Sequence, residues 1–272
     1  MSLPIKKVYV NSRYKTADSI SDSNFKFELP YVLTMPHNAI FYITDVCIPN
    51  LFKTIARGEN DTLYFEYTAE WVGIFTSSTF HIYNSITIPP GNYTELQFAS
   101  ALDQQFNAVT NGTIRAEYNS PDNICRIYTT GDRTAFRIRT DEEVQIKYNN
   151  SGNTMNEILN NIITPSPVYT KDNSMQINRL RLQPIHNIYI TSPNLGSYDT
   201  ISNFSDNIIK QVPVTSDYGY MIVDRLVSFA DYLNCPNATL KTLEFHMRDG
   251  RGRYVNLYND HISFTIVFDT KQ

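Results

Sequence analysis

His37, His81, His186, His246 and His261 are the side chains best suited to hold a metal or move a proton, and their spacing supports neither task. No two stand in an H-x-H or H-x-x-x-H arrangement, so no single strand or helix presents two imidazoles side by side for a zinc or facial-triad site. His246 falls on the polar side of an alternating stretch, where a solvated or partner-facing imidazole is the simpler reading. Asp141-Glu142-Glu143 gathers three carboxylates, but acid–base pairs face each other across a cleft rather than along the chain, so the run reads as a solvated turn. Ser12, Ser85 and Ser263 lack the G-x-S-x-G elbow, and Cys47, Cys125 and Cys235 have neither C-x-x-C spacing nor a neighbouring base. Three cysteines cannot all pair within one chain; they read as buried free thiols, which fits a reducing compartment. Asp249-Gly250-Arg251-Gly252-Arg253 could form an anion-binding nest with Arg248, yet a two-glycine turn between strands explains it fully. These residues offer no catalytic group, no metal ligand and no cofactor site. A non-enzymatic role is expected.

The elements that carry them are mostly strands. The chain has 272 residues, with 19 Tyr and 15 Phe, a β-favouring bias. From Thr242 to Arg248, polar Thr242, Glu244, His246 and Arg248 alternate with Leu243, Phe245 and Met247; from Ile262 to Phe268, Ile262, Phe264, Ile266 and Phe268 alternate with Ser263, Thr265 and Val267. So apolar a final strand needs partners from earlier in the chain, which is sandwich or barrel behaviour. A short run from Tyr254 lies between the two. Earlier strands are expected at Phe25–Leu29, Ala39–Ile48 and Thr62–Tyr67, and later ones at Asn187–Thr191, Ile208–Val214 and Met221–Phe229. Between Trp71 and Asn178 helix signals appear. A capping box, Thr94 with Gln97, opens a helix whose apolar stripe is Leu96, Ala99, Leu102, Phe106 and Val109. Three short strands follow it. A second box, Thr154 with Glu157, is expected to open a shorter helix through Ile163. Trp71, the sole tryptophan, stands at the composition shift and is expected to pack at an interdomain seam.

A net charge of -4 and a pI near 5.7 argue against wholesale neutralisation of a phosphate backbone. No stretch resembles a signal peptide or approaches a membrane span, so a soluble protein made in the cytosol is expected. Asn-x-Ser/Thr sequons at Asn60, Asn92, Asn111, Asn149, Asn203 and Asn237 are the chance product of an Asn-, Ser- and Thr-rich chain.

Several motifs taken in order resemble the penton, or minor capsid, proteins of polinton-like viruses and virophages. They are Tyr9-Val10-Asn11-Ser12-Arg13, Ser23-Asn24-Phe25, Ile48-Pro49-Asn50 and Ile88-Pro89-Pro90-Gly91-Asn92-Tyr93-Thr94. Ile188-Tyr189-Ile190 follows, then Asp249-Gly250-Arg251-Gly252-Arg253 with Ile262-Ser263-Phe264. The resemblance implies a single jelly-roll, an antiparallel eight-stranded sandwich, five copies of which close an icosahedral vertex of a double-stranded DNA virus. It implies a homopentamer in the virion, beside the major capsid protein.

The fold expected is mostly β, a jelly-roll β-sandwich with an inserted small α+β domain. Residues 1-71 and 179-272 form the discontinuous jelly-roll, and 72-178 the insertion. A layout dividing the chain near residue 150 is the competing arrangement. Residues 1-23 are polar and read as an arm over the surface, suited to dock on neighbouring capsid proteins or interior DNA through Lys6, Lys7, Arg13 and Lys15. The reading from another class is a cytosolic β-sandwich that binds carbohydrate or another ligand through its loops, which requires a concave aromatic cluster.

Overall fold

The computed structural model describes residues 5–72, 77–149, 152–161, 166–195, 207–228 and 231–271. The chain opens with β1 (Lys6–Asn11), β2 (Asn24–Thr34) and β3 (Ala39–Pro49). A middle section follows: β4 (Thr62–Val72), β5 (Ser77–Thr87), α1 (Glu95–Thr110), β6 (Ile114–Asn119), β7 (Ile124–Thr129), β8 (Ala135–Ile138), α2 (Asp141–Tyr148), α3 (Asn156–Leu159) and β9 (Met175–Ile177). It closes with β10 (Asn187–Thr191), β11 (Ile208–Pro213), β12 (Met221–Asp224), β13 (Leu233–Asn234), β14 (Thr239–Arg248) and β15 (Ser263–Thr270). These elements form two compact units, Met1–Phe52 with Ile185–Gln272, and Lys53–Pro184.

In the first unit, one sheet has the order β1-β15-β3-β12, with β13 also on β3, and the other has the order β11-β10-β14-β2; every pairing is antiparallel. Setting β13 aside, eight strands shared four and four between two sheets in this order make a jelly-roll, and the fold is mostly β. The period-two pattern explains the layering. Leu243, Phe245 and Met247 of β14 and Phe264, Ile266 and Phe268 of β15 are buried in one cluster with Phe25, Phe41, Ile43, Ile188 and Ile190. Phe245 meets Phe264 edge-on across the sandwich, ring centroids 5.0 Å apart. Burial of one such ring stabilises by about 1.5–3 kcal/mol. On β3 the inward phase changes from Phe41 and Ile43 to Val46 and Ile48, and Asp45 with φ of +51° lies where the register against β15 shifts. That is a bulge, one extra residue absorbed in the strand.

The first strand corrects the expectation for residues 1-23. Lys6–Asn11 is not an arm: it pairs along its whole length with β15, Lys6 opposite Phe268 and Asn11 opposite Ser263. Val10 is buried and Val8 packs against the core, so two apolar side chains on one face, with a ladder of backbone hydrogen bonds, hold a segment whose other residues are polar. Lys15 is ion-paired with Asp22 at 2.8 Å, and the Lys6 ammonium lies 5.3 Å from the centre of the Tyr31 ring. Structure therefore begins before Asn24. The unit boundaries also differ, at 52/53 and 184/185 rather than 71/72 and 178/179. The strand expected at Thr62–Tyr67 is part of β4, which pairs with β5 and β8 inside the second unit. Arg248 and Tyr254 share an isolated bridge where a further run was expected.

In the second unit α1 packs against two three-stranded sheets, β5-β4-β8 and β6-β7-β9. Thr94 and Gln97 make both bonds of the capping box; Phe98, Ala99, Leu102 and Phe106 are buried; and Asn111 ends the helix in the left-handed region. Leu96, assigned to the stripe from spacing, is exposed. The second box is corrected. Thr154 caps no helix: α3 is one short turn whose N-cap is Met155, and the Thr154 hydroxyl donates to Asp141 instead. Ile162 and Ile163 lie outside the described residues. The box forms instead at Thr140 and Glu143, so Asp141-Glu142-Glu143 is the first turn of α2, not a solvated turn, with three carboxylates at the positive end of the helix dipole.

Candidate assembly surface

The two outer faces of the sandwich differ in chemistry. On the β1-β15-β3-β12 sheet, alternation sends Ile222 and Asp224 inward and leaves Met221 and Val223 of the edge strand β12 about half exposed, flanked by Tyr220 and Leu226, which are 70% and 81% exposed. Val223 pairs with Cys47 of β3. Farther across, Tyr42, Val267 and Lys7 form one cross-strand row and Thr44, Thr265 and Tyr9 the next. The Tyr42 and Tyr232 rings lie 5.0 Å apart; burial, with the charge beside Tyr232 and Asp269, pushes the Tyr42 phenol above its ordinary pKa. An exposed apolar and aromatic edge of this kind marks an interaction surface more than a solvated one.

The β11-β10-β14-β2 sheet presents charge. Lys26 stands opposite Glu244, and Lys241 lies 3.1 Å from Glu28. His246 contacts Glu244 at 3.0 Å and sets its ring edge-on to Tyr254, so the imidazole expected to be solvated or partner-facing already has protein partners. Both edge strands of this sheet carry a proline, Pro30 on β2 and Pro213 on β11, and proline withholds a ladder donor from any added strand. Each proline disfavours an added strand at its own position. The apolar edge at β12 carries no proline.

The Asp249–Arg253 turn leaves no nest for an anion. The buried Asp249 carboxylate accepts from the Arg251 and Arg253 amides at 2.9 Å each and from Arg253 Nε at 2.9 Å, filling the position an external anion would take. Gly252 with φ of +81° makes the turn possible. Among the described residues no three His, Cys, Asp or Glu side chains group as a metal site. His261 contacts Asp22 at 3.0 Å. Asp22 also binds Lys15; burial pulls its carboxyl up, but those two contacts outweigh it and hold it below the ordinary Asp value. Cys125 and Cys235 are buried, and desolvation pushes their thiols up to about 12 and about 11, the inert end of thiol chemistry.

In the second unit, Glu66 of β4 faces Arg137 of β8 across the sheet and accepts from Arg137 and Arg139, while Glu143 of α2 pairs with Arg137 at 3.2 Å. Burial raises the Glu66 carboxyl, and the two guanidinium groups more than reverse that, so it titrates below its usual range. The cluster pins α2 to the sheet, and the Tyr64–Tyr148 ring contact at 4.9 Å supports it. Trp71 lies on β4, and its side chain is outside the described residues. A cleft of ≈450 Å³ runs beside α1, with Tyr93, Gln97, Ser100 and Gln104 among its walls; the Tyr93 hydroxyl is already donated to Pro89 O. The described walls of that cleft hold one aromatic side chain and no charged one. No helix among the described residues is long and apolar enough to cross a membrane.

The β12 edge was not singled out from the sequence as a surface; its signal was Tyr220-Met221-Ile222-Val223, a run apolar on both faces of a strand. No protein-family model and no curated protein matches this chain. In three dimensions it is similar to the selenomethionine-labelled penton protein of mavirus, with a TM-score of 0.53 and 12% sequence identity over 98% of this chain and 100% of that one, and it has a penton-like jelly-roll fold.

Proposed function

We propose that this chain is a structural capsid protein that forms the pentameric vertex of an icosahedral double-stranded DNA virus or virus-like element. One observation carries the reading: the correspondence to the mavirus penton protein spans 98% of this chain and the whole of that one, so it takes in the middle section as well as the jelly-roll. The exposed apolar edge at β12 supports it, because an apolar strip on the surface is suited to burial against a neighbouring copy, and head-to-tail contacts of one copy on the next close into rings. Neighbouring copies and the major capsid protein are the partners. Interior DNA is a weaker partner than the sequence suggested, since Lys6 and Lys7 lie on β1 and Lys15 is ion-paired.

The test is the position of this chain in purified particles by cryo-electron microscopy. Density for five copies around the five-fold axes is the expected result. Finding the chain elsewhere in the shell, or absent from it, rejects the proposal. Light scattering of the isolated protein gives a second measure, with pentamers the expected species.

A further inference from the structure

A second cleft in the unit of residues 53–184, of ≈370 Å³, is lined by an unusual set of side chains. Arg179 and Arg181 stand two residues apart with buried Leu180 between them, and the Arg181 amide is fixed by a 3.0 Å bond to Ile158 O. Both arginines are exposed and both line the cleft. None of the lining residues is acidic, and neither guanidinium has an ion-pair partner among the described residues. The contrast with Arg137 and Arg139, which have the same spacing, is instructive: there Glu66 and Glu143 supply two carboxylates. Two like charges at one cleft without a counter-charge raise the local potential and favour an anion, and the guanidinium fork matches an oxyanion through paired hydrogen bonds.

The rest of the lining tells which anion. Asn160, Gln176 and Asn178 offer neutral amide donors and acceptors, Tyr169 offers a ring, and Ile177 an apolar patch. The cleft is kept open by structure on several sides. Asn161 in its wall is tied down by Ile138 O and Asn156, and Tyr169 is bridged to Phe136 through both backbone bonds with the rings 5.4 Å apart. A volume near 370 Å³ lies in the range of small-molecule sites. Amides for hydroxyl groups, an aromatic face for a sugar ring, and two arginines for a carboxylate describe one ligand class. We propose that this cleft binds an acidic saccharide, with its carboxylate on Arg179 and Arg181 and its ring and hydroxyl groups met by Tyr169 and the amides. The inference concerns one cleft of one unit and does not depend on the vertex role.

Saturation-transfer difference NMR on the full chain tests it with glucuronic acid, glucose and inorganic phosphate as separate probes. Glucuronic acid is expected to give ring-proton signals that weaken with added salt, and glucose, which lacks only the carboxylate, to bind at least tenfold more weakly. Phosphate is expected to compete only weakly. The R179A/R181A variant is expected to lose the glucuronic acid signal while its urea midpoint stays unchanged. Glucose binding as well as glucuronic acid, or an undiminished signal in the variant, overturns the proposal. So does phosphate displacing glucuronic acid at equal concentration, which marks a plain anion site, and so does the absence of any signal. If R179A/R181A loses stability, R179K/R181K replaces it: charge is kept, the fork is lost, and a persistent full signal overturns the proposal.

Discussion

Lys210 Nζ lies 3.5 Å from Asp224 Oδ2, and the two residues come from edge strands of opposite sheets, β11 and β12, so this ion pair joins the sheets along one open side of the sandwich. Both side chains are more than nine-tenths buried; Lys210 also donates to Leu226 O at 2.7 Å and meets Asp231 at 3.4 Å. Removing one member strands the others in a poorly solvated place, whereas replacing a pair by apolar groups of similar size is far milder. K210M is therefore expected to lower the stability of the sandwich by about 2–4 kcal/mol, and K210M/D224L to recover most of it. Urea unfolding decides; a K210M midpoint equal to the parent's would show that the clasp contributes nothing.

Removal of residues 1–11 is expected to unfold or severely weaken the protein. Without β1, the backbone groups of β15 on that side lose their partners and Val10 leaves the core. A dispensable surface arm would leave the thermal midpoint unchanged, and a shortened chain with the parent's midpoint would contradict the strand.

Asp22 makes stability depend on pH in a defined direction. Its folded pKa is depressed, so its contribution is present above the unfolded Asp value, about 3.9, and is lost as pH falls through the folded one. D22N is expected to cost about 1.5–3 kcal/mol at neutral pH, the scale of a charged hydrogen bond. The gap between D22N and the parent should close below the ordinary carboxylate range; a gap independent of pH down to strongly acid solution would assign the effect to something else.

We further propose that residues 53–184 are a domain inserted between β3 and β10 that the jelly-roll does without. A chain joining Phe52 to Ile185 through a short Gly/Ser linker keeps all eight strands of the two four-stranded sheets and is expected to unfold cooperatively, with the helical part of its far-UV circular dichroism gone. A non-cooperative, urea-insensitive baseline would make the two units one folding entity.

The strands with strict alternation were legible in the sequence. β14 and β15 show their buried face residue by residue, because each period-two side chain meets one core. Elsewhere the pattern misleads: Thr62–Tyr67 reads as a sandwich strand but belongs to the second unit, and Lys6–Asn11 is a sandwich strand that does not read as one. Only two of β1's residues are apolar and inward, and its partner is at the far end of the chain, so nothing local distinguishes it from a loop. The helix starts illustrate the same limit. Thr94–Gln97, Thr140–Glu143 and Thr154–Glu157 carry one motif, and only the first two form it; α3 begins one residue later, after Met155, and Thr154 turns its hydroxyl to Asp141. The Arg179–Arg181 cleft was invisible for the same reason: its walls at 159–161, 167–169 and 175–181 converge only in the fold.

The place of β15 has a consequence for how the sandwich folds. It lies between β1 and β3, pairing with both, so those two strands have no ladder to share until a strand from far along the sequence joins them. Contacts of such long sequence separation form slowly and late. Until β15 is in place, β1 has no partner in that sheet, while Met221 and Val223 of β12 are already set by their own ladder with β3, so the apolar edge and the opposite edge of one sheet form as separate events.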